Sequence, residues 1–383
     1  MEYRKFGNLE QEVSALGFGM MRLPTENGAF AGAILEKETI EMVRYAIDRG
    51  LTYVDTAYPY HGGASEVVTG KALKDGYRDK VKLATKSPVW MIQKEEDFER
   101  YLDEQLKRLG DDHIDFYLLH ALGTERWEDI VLRFDLIPKM ENMKKKGKIG
   151  KIGFSFHDGF EAFTKIVDGY DGWEFCQIQL NYLDVAVQAG VAGLKYAADR
   201  GLGVIVMEPL LGGKLARLPQ KFLGLLEKHP VKKSPVEWAL DWLWDQPEVS
   251  LVLSGMNSMA QAVENMEYAG RSAAGMMTPE DKNLIAALQG AFESAKSIPC
   301  TQCAYCLPCP SGVHIPQCFD ACNISTMFED PALAKSDYAR LAMLGGPAAL
   351  ASSCIGCRAC ESKCPQHIRI SELLPKIHEA LAV

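Results

Sequence analysis

A chain of 383 residues exceeds one average domain, so its length favours a large core plus a smaller unit. Apolar residues make up 47% and charged residues 24%, which excludes a largely disordered chain. The formal net charge of -9 argues against a nucleic-acid partner, because nucleic-acid binding usually requires a basic patch or stripe.

The amino-terminal segment, MEYRKFGNLEQEV, has no apolar stretch of the kind that signal peptides contain. No segment reaches the roughly 18 uncharged apolar residues of a membrane span. We therefore expect a cytosolic protein with no membrane partner. Because the cytosol keeps thiols reduced, the eleven cysteines are expected to be metal ligands or redox groups rather than disulfides.

From residue 13 to about residue 270, short apolar runs typical of strands alternate with amphipathic segments of helical period. There are eight such runs: VSALGFGM (13–20), YVDTA (53–57), VKLATK (81–86), IDFYLLH (114–120), KIGFSF (151–156), FCQIQLN (175–181), GVIVMEPL (203–210) and SLVLSGM (250–256). Eight alternating units predict an α/β fold, a closed (β/α)8 TIM barrel. An open doubly wound sheet is the alternative, but its GxGxxG turn is absent after the first run, which reads GFGMMRLP.

Four polar side chains lie near the ends of three of these strands. They are Asp55, Tyr60, Lys86 and His120. Each alone has an ordinary alternative, such as a helix cap, a core phenol, a surface charge or a satisfied histidine. In (β/α)8 barrels, however, functional groups project from the C-terminal strand ends, so these four are expected to converge. Together they favour a catalytic site.

Reduction of a carbonyl by hydride transfer fits these four groups, because a proton donor must meet the developing alkoxide. With an ordinary pKa of about 10, tyrosine is a weak acid and benefits from a neighbouring cation. We expect Lys86 to favour the phenolate of Tyr60 and Asp55 to pair with and orient Lys86. His120 is expected to hold the substrate oxygen.

The segments VDTAYPYHGGASE (54–66), LATK (83–86) and FYLLH (116–120) resemble, in order, the tetrad motifs of the aldo-keto reductase superfamily. The resemblance covers about the first 270 residues, the size of a large domain. It implies that Tyr60 is the general acid, that Lys86 and Asp55 tune it, and that His120 orients the substrate. It also implies that NADP or NAD binds extended across the barrel mouth, without a Rossmann fold.

The same resemblance implies cofactor contacts from four segments. Near the nicotinamide it assigns Ser155 and Gln177, with Phe156 in place of the usual Asn and His157 following it. Met207 occupies the position of an aromatic ring that stacks on the nicotinamide in many members. The pyrophosphate loop is assigned Pro209, Leu210, Gly212 and Lys214, and the adenosine end Ser254, Gly255, Met256, Ser258, Gln261 and Asn265. Gly255 and Gln261 replace basic residues that hold the 2′-phosphate in many NADPH-preferring members, so the choice between NADPH and NADH stays open.

Ten of the eleven cysteines follow residue 299, and the exception, Cys176, lies inside an apolar run. This shift predicts a boundary near Ser297, with a barrel over 1–297 and a cysteine-rich domain over 298–383. Two runs carry most of these thiols: Cys300, Cys303, Cys306 and Cys309 before Pro310, and Cys354, Cys357, Cys360 and Cys364 before Pro365. The second run has the C-x2-C-x2-C-x3-C-P spacing of bacterial ferredoxins, and the first is one residue shorter.

In that ferredoxin pattern the fourth cysteine reaches across to the other cluster. We therefore expect two [4Fe–4S] clusters with crossed ligation, one on Cys300, Cys303, Cys306 and Cys364 and the other on Cys354, Cys357, Cys360 and Cys309. A single cluster is the alternative, because the shorter spacing changes where Cys309 points. Structural zinc is a second alternative, although it requires neither a third CxxC step nor Cys-Pro endings. The segment Ile315–Leu344 has a helical character, so this ferredoxin-like domain is expected to be mainly helical.

Two functions follow. The first is an NAD(P)H-dependent oxidoreductase that interconverts a small carbonyl and an alcohol, with clusters that serve structure or exchange electrons with a redox partner protein. The second is an electron-transfer adaptor whose barrel presents the ferredoxin module with little reductase activity. The complete set of four polar residues favours the enzyme. Loops such as TENGAFAGA (25–33) are expected to shape the substrate pocket.

Overall fold

The computed structural model of the chain describes residues 1–28 and 32–382. Residues 29–31, in the loop expected to shape the pocket, lie outside the described residues. The chain divides into two compact units, one of Met1–Leu215 with Val236–Thr278, the other of Ala216–Pro235 with Pro279–Val383. The boundary near Ser297 stays a prediction.

Ten strands lie in the first unit. They are β1 (Tyr3–Lys5), β2 (Glu12–Ser14), β3 (Leu16–Gly19), β4 (Tyr53–Asp55), β5 (Lys82–Ser87), β6 (Ile114–Leu122), β7 (Ile149–Phe156), β8 (Phe175–Gln179), β9 (Gly203–Met207) and β10 (Val249–Gly255). Strands β3 to β10 form a closed parallel barrel in chain order, while β1 and β2 form an antiparallel pair. Each barrel strand overlaps one of the eight predicted runs, so the (β/α)8 prediction is confirmed.

Fourteen α-helical segments occur in the described part of the chain. In chain order they are α1 (Glu36–Ile47), α2 (Ala64–Ala72), α3 (Asp97–Leu109), α4 (Thr124–Arg126), α5 (Leu136–Lys145), α6 (Phe160–Asp168), α7 (Gly190–Asp199), α8 (Gln220–Lys228), α9 (Pro235–Trp244), α10 (Met259–Ala269), α11 (Pro279–Ala295), α12 (Ile315–Met327), α13 (Pro331–Gly345) and α14 (Ile370–Leu381). The amphipathic sequence of α3 shows why such segments fold here, because Phe98 and Leu102 are buried while Asp103 and Lys107 are exposed. Gly110, with φ of 66°, then ends the helix in the left-handed region.

Aromatic residues fill one end of the barrel. Phe6, which follows β1, packs edge-to-face on Phe116 with ring centroids 5.1 Å apart, and Phe175 lies 5.1 Å from Phe116. Tyr53 joins this cluster, and both Tyr53 and Phe175 are the first residues of their strands. Because the N-terminal strand ends are closed by apolar packing, the barrel's polar groups lie toward the opposite end.

The second unit is mainly helical, as predicted for the cysteine-rich domain. Helices α12 and α13 occupy the segment expected to be helical, and both cysteine runs lie in irregular chain around them. Phe222 of α8 stacks on Phe292 of α11 at 3.7 Å, and Phe292 lies 5.4 Å from Phe328. Among the described residues, no helix combines the length and the apolar character that a membrane span needs.

Candidate active site and cysteine cavities

A buried ion pair forms the centre of the site at the C-terminal barrel end. The Lys86 ammonium donates to both carboxylate oxygens of Asp55, at 2.6 and 2.7 Å, and to the Thr56 carbonyl at 2.8 Å. Asp55 pairs in register with Ala84 on the neighbouring strand, and Lys86 lies two residues further on the same face. Because Lys86 is 0% exposed and Asp55 3%, the two charges depend on each other rather than on water.

Tyr60 lies beside this pair, in the turn that follows β4. The Lys86 ammonium nitrogen is 5.1 Å from the centroid of the Tyr60 ring. Burial by itself favours the neutral amine, yet attraction to Asp55 and Tyr60 outweighs it, so the pKa of Lys86 is raised. Burial also raises the pKa of Tyr60, and the opposing attraction to Lys86 offsets only part of this effect. The phenol therefore stays protonated at neutral pH.

His120 completes the group, with its ring centroid 5.9 Å from that of Tyr60. Strand β6 does not end at His120 but continues to Leu122, with an irregularity in its pairing to β7 between Leu119 and Leu122. Ala121 has φ of 55°, and its N–H donates to the Ser155 hydroxyl at 2.7 Å. A β-bulge of this kind re-aims a side chain. Sequence spacing gave no sign of it.

The environment of His120 favours a neutral imidazole. Burial is the largest cause, and the positive charges of Lys86 and Arg126 add to it, so the pKa of His120 lies well below the usual value. Its buried Nδ1 has no hydrogen-bond partner among the described residues. The site therefore contains one neutral phenol and one neutral imidazole beside a cation whose charge is balanced by Asp55.

A buried polar network behind Lys86 was not found from the sequence. Glu66, 0% exposed, accepts hydrogen bonds from Thr85 at 2.7 Å and from Gln105 at 2.8 Å. Gln105 also donates to the Lys86 carbonyl at 3.0 Å and accepts from the Tyr117 hydroxyl at 2.8 Å. The only sequence signal was the acidic end of the 54–66 segment. These contacts fix the backbone at Lys86, so that its side chain is held in one position.

Ser155 and Gln177 lie side by side, because they are register partners on β7 and β8. Gln177 is buried, and its Nε2 donates to the Met207 sulfur at 3.5 Å. The Gln177 Oε1 is buried with no hydrogen-bond partner in the part of the chain that the structure describes. A buried amide oxygen without a donor fits a bound carboxamide, whose N–H groups would satisfy it.

The loop after β9 contains the residues assigned to the pyrophosphate. Gly212 and Gly213 both have positive φ, of 66° and 93°. Pro209 is buried, while Leu210 and Lys214 are partly exposed. Glu208, which precedes them, also has positive φ and lies 3.8 Å from Arg22.

The six residues assigned to the adenosine end lie on β10 and at the start of α10. Their contacts are internal: Asn265 donates to Ser254 at 3.0 Å, and the Gln261 N–H donates to Ser258, the N-cap, at 3.4 Å. Met256 is fully buried and Gly255 is exposed. A Cβ atom on Gly255 would lie 3.2 Å from that of Arg22. Sequence reasoning did not find Arg22, the basic residue that lies beside Gly255.

Each of two cavities in the second unit is lined by four of the cysteines. One cavity is lined by Cys300, Cys303, Cys306 and Cys364, and the other by Cys309, Cys354, Cys357 and Cys360. The fourth cysteine of each run therefore lies with the first three of the other run, the arrangement expected for crossed ligation. Cys318 is buried outside both cavities, where its thiol donates to the Ala349 carbonyl at 3.6 Å.

The kind of metal centre that these thiols could hold follows from their number and arrangement. Tetrahedral zinc requires sulfurs at about 2.3 Å from one ion, which brings them into mutual contact. Within the described residues, no three His, Cys, Asp or Glu side chains are placed to hold a single metal ion. Burial and the neighbouring thiol of Cys300 raise the pKa of Cys306 to about 11. The donor set of each cavity is four thiols, which is the ligand set of an iron–sulfur cluster.

Comparison with known proteins assigns both parts of the chain. Residues 15–273 match the Aldo/keto reductase family, and residues 299–368 match the 4Fe-4S dicluster domain. Because the first match covers more than half of the chain, the protein belongs to the aldo/keto reductase family and is an oxidoreductase of that type. Both resemblances inferred from the sequence are confirmed.

Individual relatives agree with this assignment. The chain is 28% identical over 341 residues to L-galactose dehydrogenase of Arabidopsis thaliana, covering 82% of this chain and 98% of that protein. It is 30% identical over 305 residues to aldo-keto reductase YhdN of Bacillus subtilis (strain 168), covering 70% and 89%. Among solved structures, aldo-keto reductase AKR11C1 from Bacillus halodurans in its holo form matches 75% of this chain and 96% of that chain. Its TM-score is 0.61 at 26% identity.

Proposed function

We propose that the protein is an NAD(P)H-dependent oxidoreductase that interconverts a carbonyl and an alcohol by hydride transfer. The observation that carries the proposal is the buried Asp55–Lys86 pair beside Tyr60 and a neutral His120, all at one end of the barrel. A structural role alone would not bring a phenol, an ammonium and an imidazole together where barrel enzymes place their active sites.

The roles of these residues follow from their protonation states. A bound reduced nicotinamide supplies the hydride. The Tyr60 hydroxyl gives its proton to the oxygen that becomes the alcohol, and the Lys86 ammonium stabilises the phenolate that remains. Asp55 keeps Lys86 charged and in place. His120 donates its Nε2 proton to the substrate oxygen and so orients the carbonyl between Tyr60 and the hydride.

The cofactor residues are proposed on the same basis. Ser155 and Gln177 hold the nicotinamide carboxamide, for which the unpartnered Gln177 Oε1 is the support in this chain. Met207 lies against Gln177 and would offer the nicotinamide a polarisable thioether instead of an aromatic ring. The loop that contains Pro209, Leu210, Gly212 and Lys214 would hold the pyrophosphate, and the start of α10 would hold the adenosine end, where a helix N-terminus favours phosphate.

We further propose two [4Fe–4S] clusters with crossed ligation, supported by the two cavities that each contain cysteines of both runs. When bound, such clusters supply one-electron transfer or structural support. We also propose a cytosolic location, supported by the fact that no disulfide joins any two of the cysteines that the structure describes. The adaptor function is less favoured, because an adaptor does not need the assembled tetrad.

The reductase proposal is tested with the full chain purified without oxygen. We expect NADPH or NADH to be oxidised when members of a panel of aldehydes and ketones are added, and the alcohol product to be identified by mass. If cluster-loaded protein reduces no carbonyl yet passes electrons to an added acceptor protein, the adaptor function is correct instead.

Crossed ligation has its own test. The double variant Cys300→Ser with Cys364→Ser removes two ligands of one crossed cluster, so about four of about eight irons should remain. The matched double variant Cys300→Ser with Cys354→Ser removes one ligand from each crossed cluster and should leave few irons bound. If the two double variants lose iron equally, each run holds its own cluster, and zinc without sulfide in the parent protein excludes clusters altogether.

A further inference from the structure

We propose that the substrate of this site carries an oxyanion, a carboxylate or a phosphate, several bonds away from its carbonyl, and that Arg126 binds this group. The inference rests on the proposed reductase function and adds the substrate class. It is carried by the position of one arginine relative to Trp90 and His120.

Arg126 is the last residue of α4, the short helical segment that follows β6 and its His120. Its Nη1 donates to the Ala121 carbonyl at 2.6 Å, so the side chain folds back over the strand end instead of extending into solvent. That contact uses one of the five N–H donors of a guanidinium. The other donors remain for a ligand.

Trp90 connects Arg126 with the tetrad. The guanidinium carbon lies 5.1 Å from the centroid of the Trp90 ring, and the His120 ring lies 5.0 Å from the same ring. The guanidinium and the imidazole are therefore at most about 10 Å apart. Trp90 is 39% exposed, which is high for so large an apolar side chain, and its ring offers a surface between the two groups.

The charged side chains near Arg126 are mostly paired with other residues. Lys86 is paired with Asp55, and Glu208 lies within ion-pair distance of Arg22. Burial lowers the pKa values of His120 and His157, so both are neutral, and the field of Arg126 contributes to both shifts. In the described part of the chain, Arg126 forms no ion pair within 4 Å. Attraction to Glu125, the residue before it, opposes the effect of burial only in part, so the pKa of Arg126 is lowered.

A partly buried cation without a carboxylate partner binds an oxyanion favourably, because the guanidinium has already lost part of its hydration. Its planar donors match a carboxylate or a phosphate in a two-point contact. A substrate whose carbonyl lies at Tyr60 and His120 would extend along Trp90 and place its anionic end at Arg126. The distance favours a chain of several bonds between the two groups.

Two pairs of aldehydes test this inference, each with one member that carries an anionic group and one that does not. Succinate semialdehyde is compared with butanal, and glyceraldehyde 3-phosphate with glyceraldehyde, by kcat/KM in the full cluster-loaded chain. We expect the anionic member of at least one pair to be favoured by about tenfold to a hundredfold, the effect of a hydrogen bond to a charged group. The pair that shows the preference identifies the anionic group of the substrate as a carboxylate or a phosphate.

Arg126→Met should abolish the preference for the anionic aldehyde, and Arg126→Lys should keep part of that preference. Arg133→Met is the matched control. Arg133 is exposed, and its substitution removes the same positive charge from the neighbouring segment. If the wild-type protein shows no preference in either pair, or if Arg133→Met lowers the ratio as much as Arg126→Met, the inference is wrong.

A binding measurement separates this inference from the reductase proposal. With NADP present, succinate or inorganic phosphate should raise the melting temperature of the parent protein more than that of Arg126→Met. If no carbonyl is reduced, the proposed function fails, and the melting temperatures still decide the role of Arg126. Equal shifts in both proteins would overturn that role.

Discussion

The barrel site and the cysteine cavities hold their functional groups in opposite ways. In the barrel, Lys86 and Asp55 are almost fully buried and bonded to each other. In the second unit, Cys303 and Cys357 are exposed, and the nearby Ala304 and Arg358 have positive φ without being glycine. A barrel site of this kind is formed by protein packing alone, whereas the cysteine runs are expected to depend on the clusters they bind.

Iron removal gives the largest expected effect and tests this contrast directly. When a chelator and a reductant remove the iron, the second unit should lose its cooperative unfolding transition. The reason is that cluster binding supplies much of the folding free energy of that unit. The barrel should keep its own transition. Calorimetry and limited proteolysis with mass mapping measure the two units separately. An unchanged second transition in iron-free protein would show that the helices hold the cysteine runs unaided.

Substitution of the proton donor is next in size. Tyr60→Phe should lower kcat for carbonyl reduction by about 10² to 10⁴-fold, the usual contribution of general acid catalysis, while cofactor binding persists. Tyr58→Phe is the control, because that phenol lies two residues away and donates to Glu104 instead. A Tyr60→Phe enzyme with parental kcat would assign proton donation elsewhere.

The buried pair is tested through stability. Asp55→Asn leaves Lys86 buried without its counter-charge, so the free energy of unfolding of the barrel should fall by about 3 to 5 kcal/mol. Glu36→Gln is the matched control, because its 2.6 Å pair with Lys71 is 44% exposed on both sides and should contribute less than about 1 kcal/mol. Equal losses in urea denaturation would contradict the view that burial makes the Asp55 pair different.

The expected difference between NADPH and NADH is smaller than the effects above. With Gly255 and Gln261 in place of basic residues, we expect kcat/KM for NADPH and NADH to differ by about tenfold or less, roughly 1.4 kcal/mol. Arg22, which lies beside Gly255, is a basic residue that could enlarge the preference. A preference for NADPH of several orders of magnitude that Arg22→Met removes would assign the 2′-phosphate to Arg22.

The smallest expected effect is that of pH. Tyr60 acts in its protonated form, and its raised pKa keeps that form until pH rises above about 10. His120 acts as the neutral base form, and its lowered pKa keeps that form as pH falls through about 6.5. The kcat/KM for reduction should therefore be nearly constant from about pH 6 to pH 9. A rate that falls below pH 7 would show that His120 or His157 titrates in the working range.

The sequence was sufficient to predict the barrel, because each strand is a local apolar run. It also placed each residue of the proposed tetrad next to such a run, which is why these four could be proposed together. It was not sufficient for the contacts that position them. The irregularity at Ala121 and the approach of Arg126 to Trp90 depend on the conformation of a few turn residues, which periodicity does not specify. Glu66 and Gln105 lie 39 residues apart, so their hydrogen bond follows only from the packed fold.

The second unit is formed by two separate stretches of the chain, which the sequence did not lead us to expect. It takes Ala216–Pro235 from between two barrel strands as well as everything after Thr278, so the polypeptide passes between the units three times. Phe222 and Phe292 are both buried in their stack, and Phe328 completes it from beyond Ser297. A shortened chain that stops at Ser297 would leave these rings exposed and prone to aggregation. Because the second unit is built from two stretches of chain, a cut at Ser297 would remove the cysteine runs but leave Ala216–Pro235 and α11 without the residues that complete their unit.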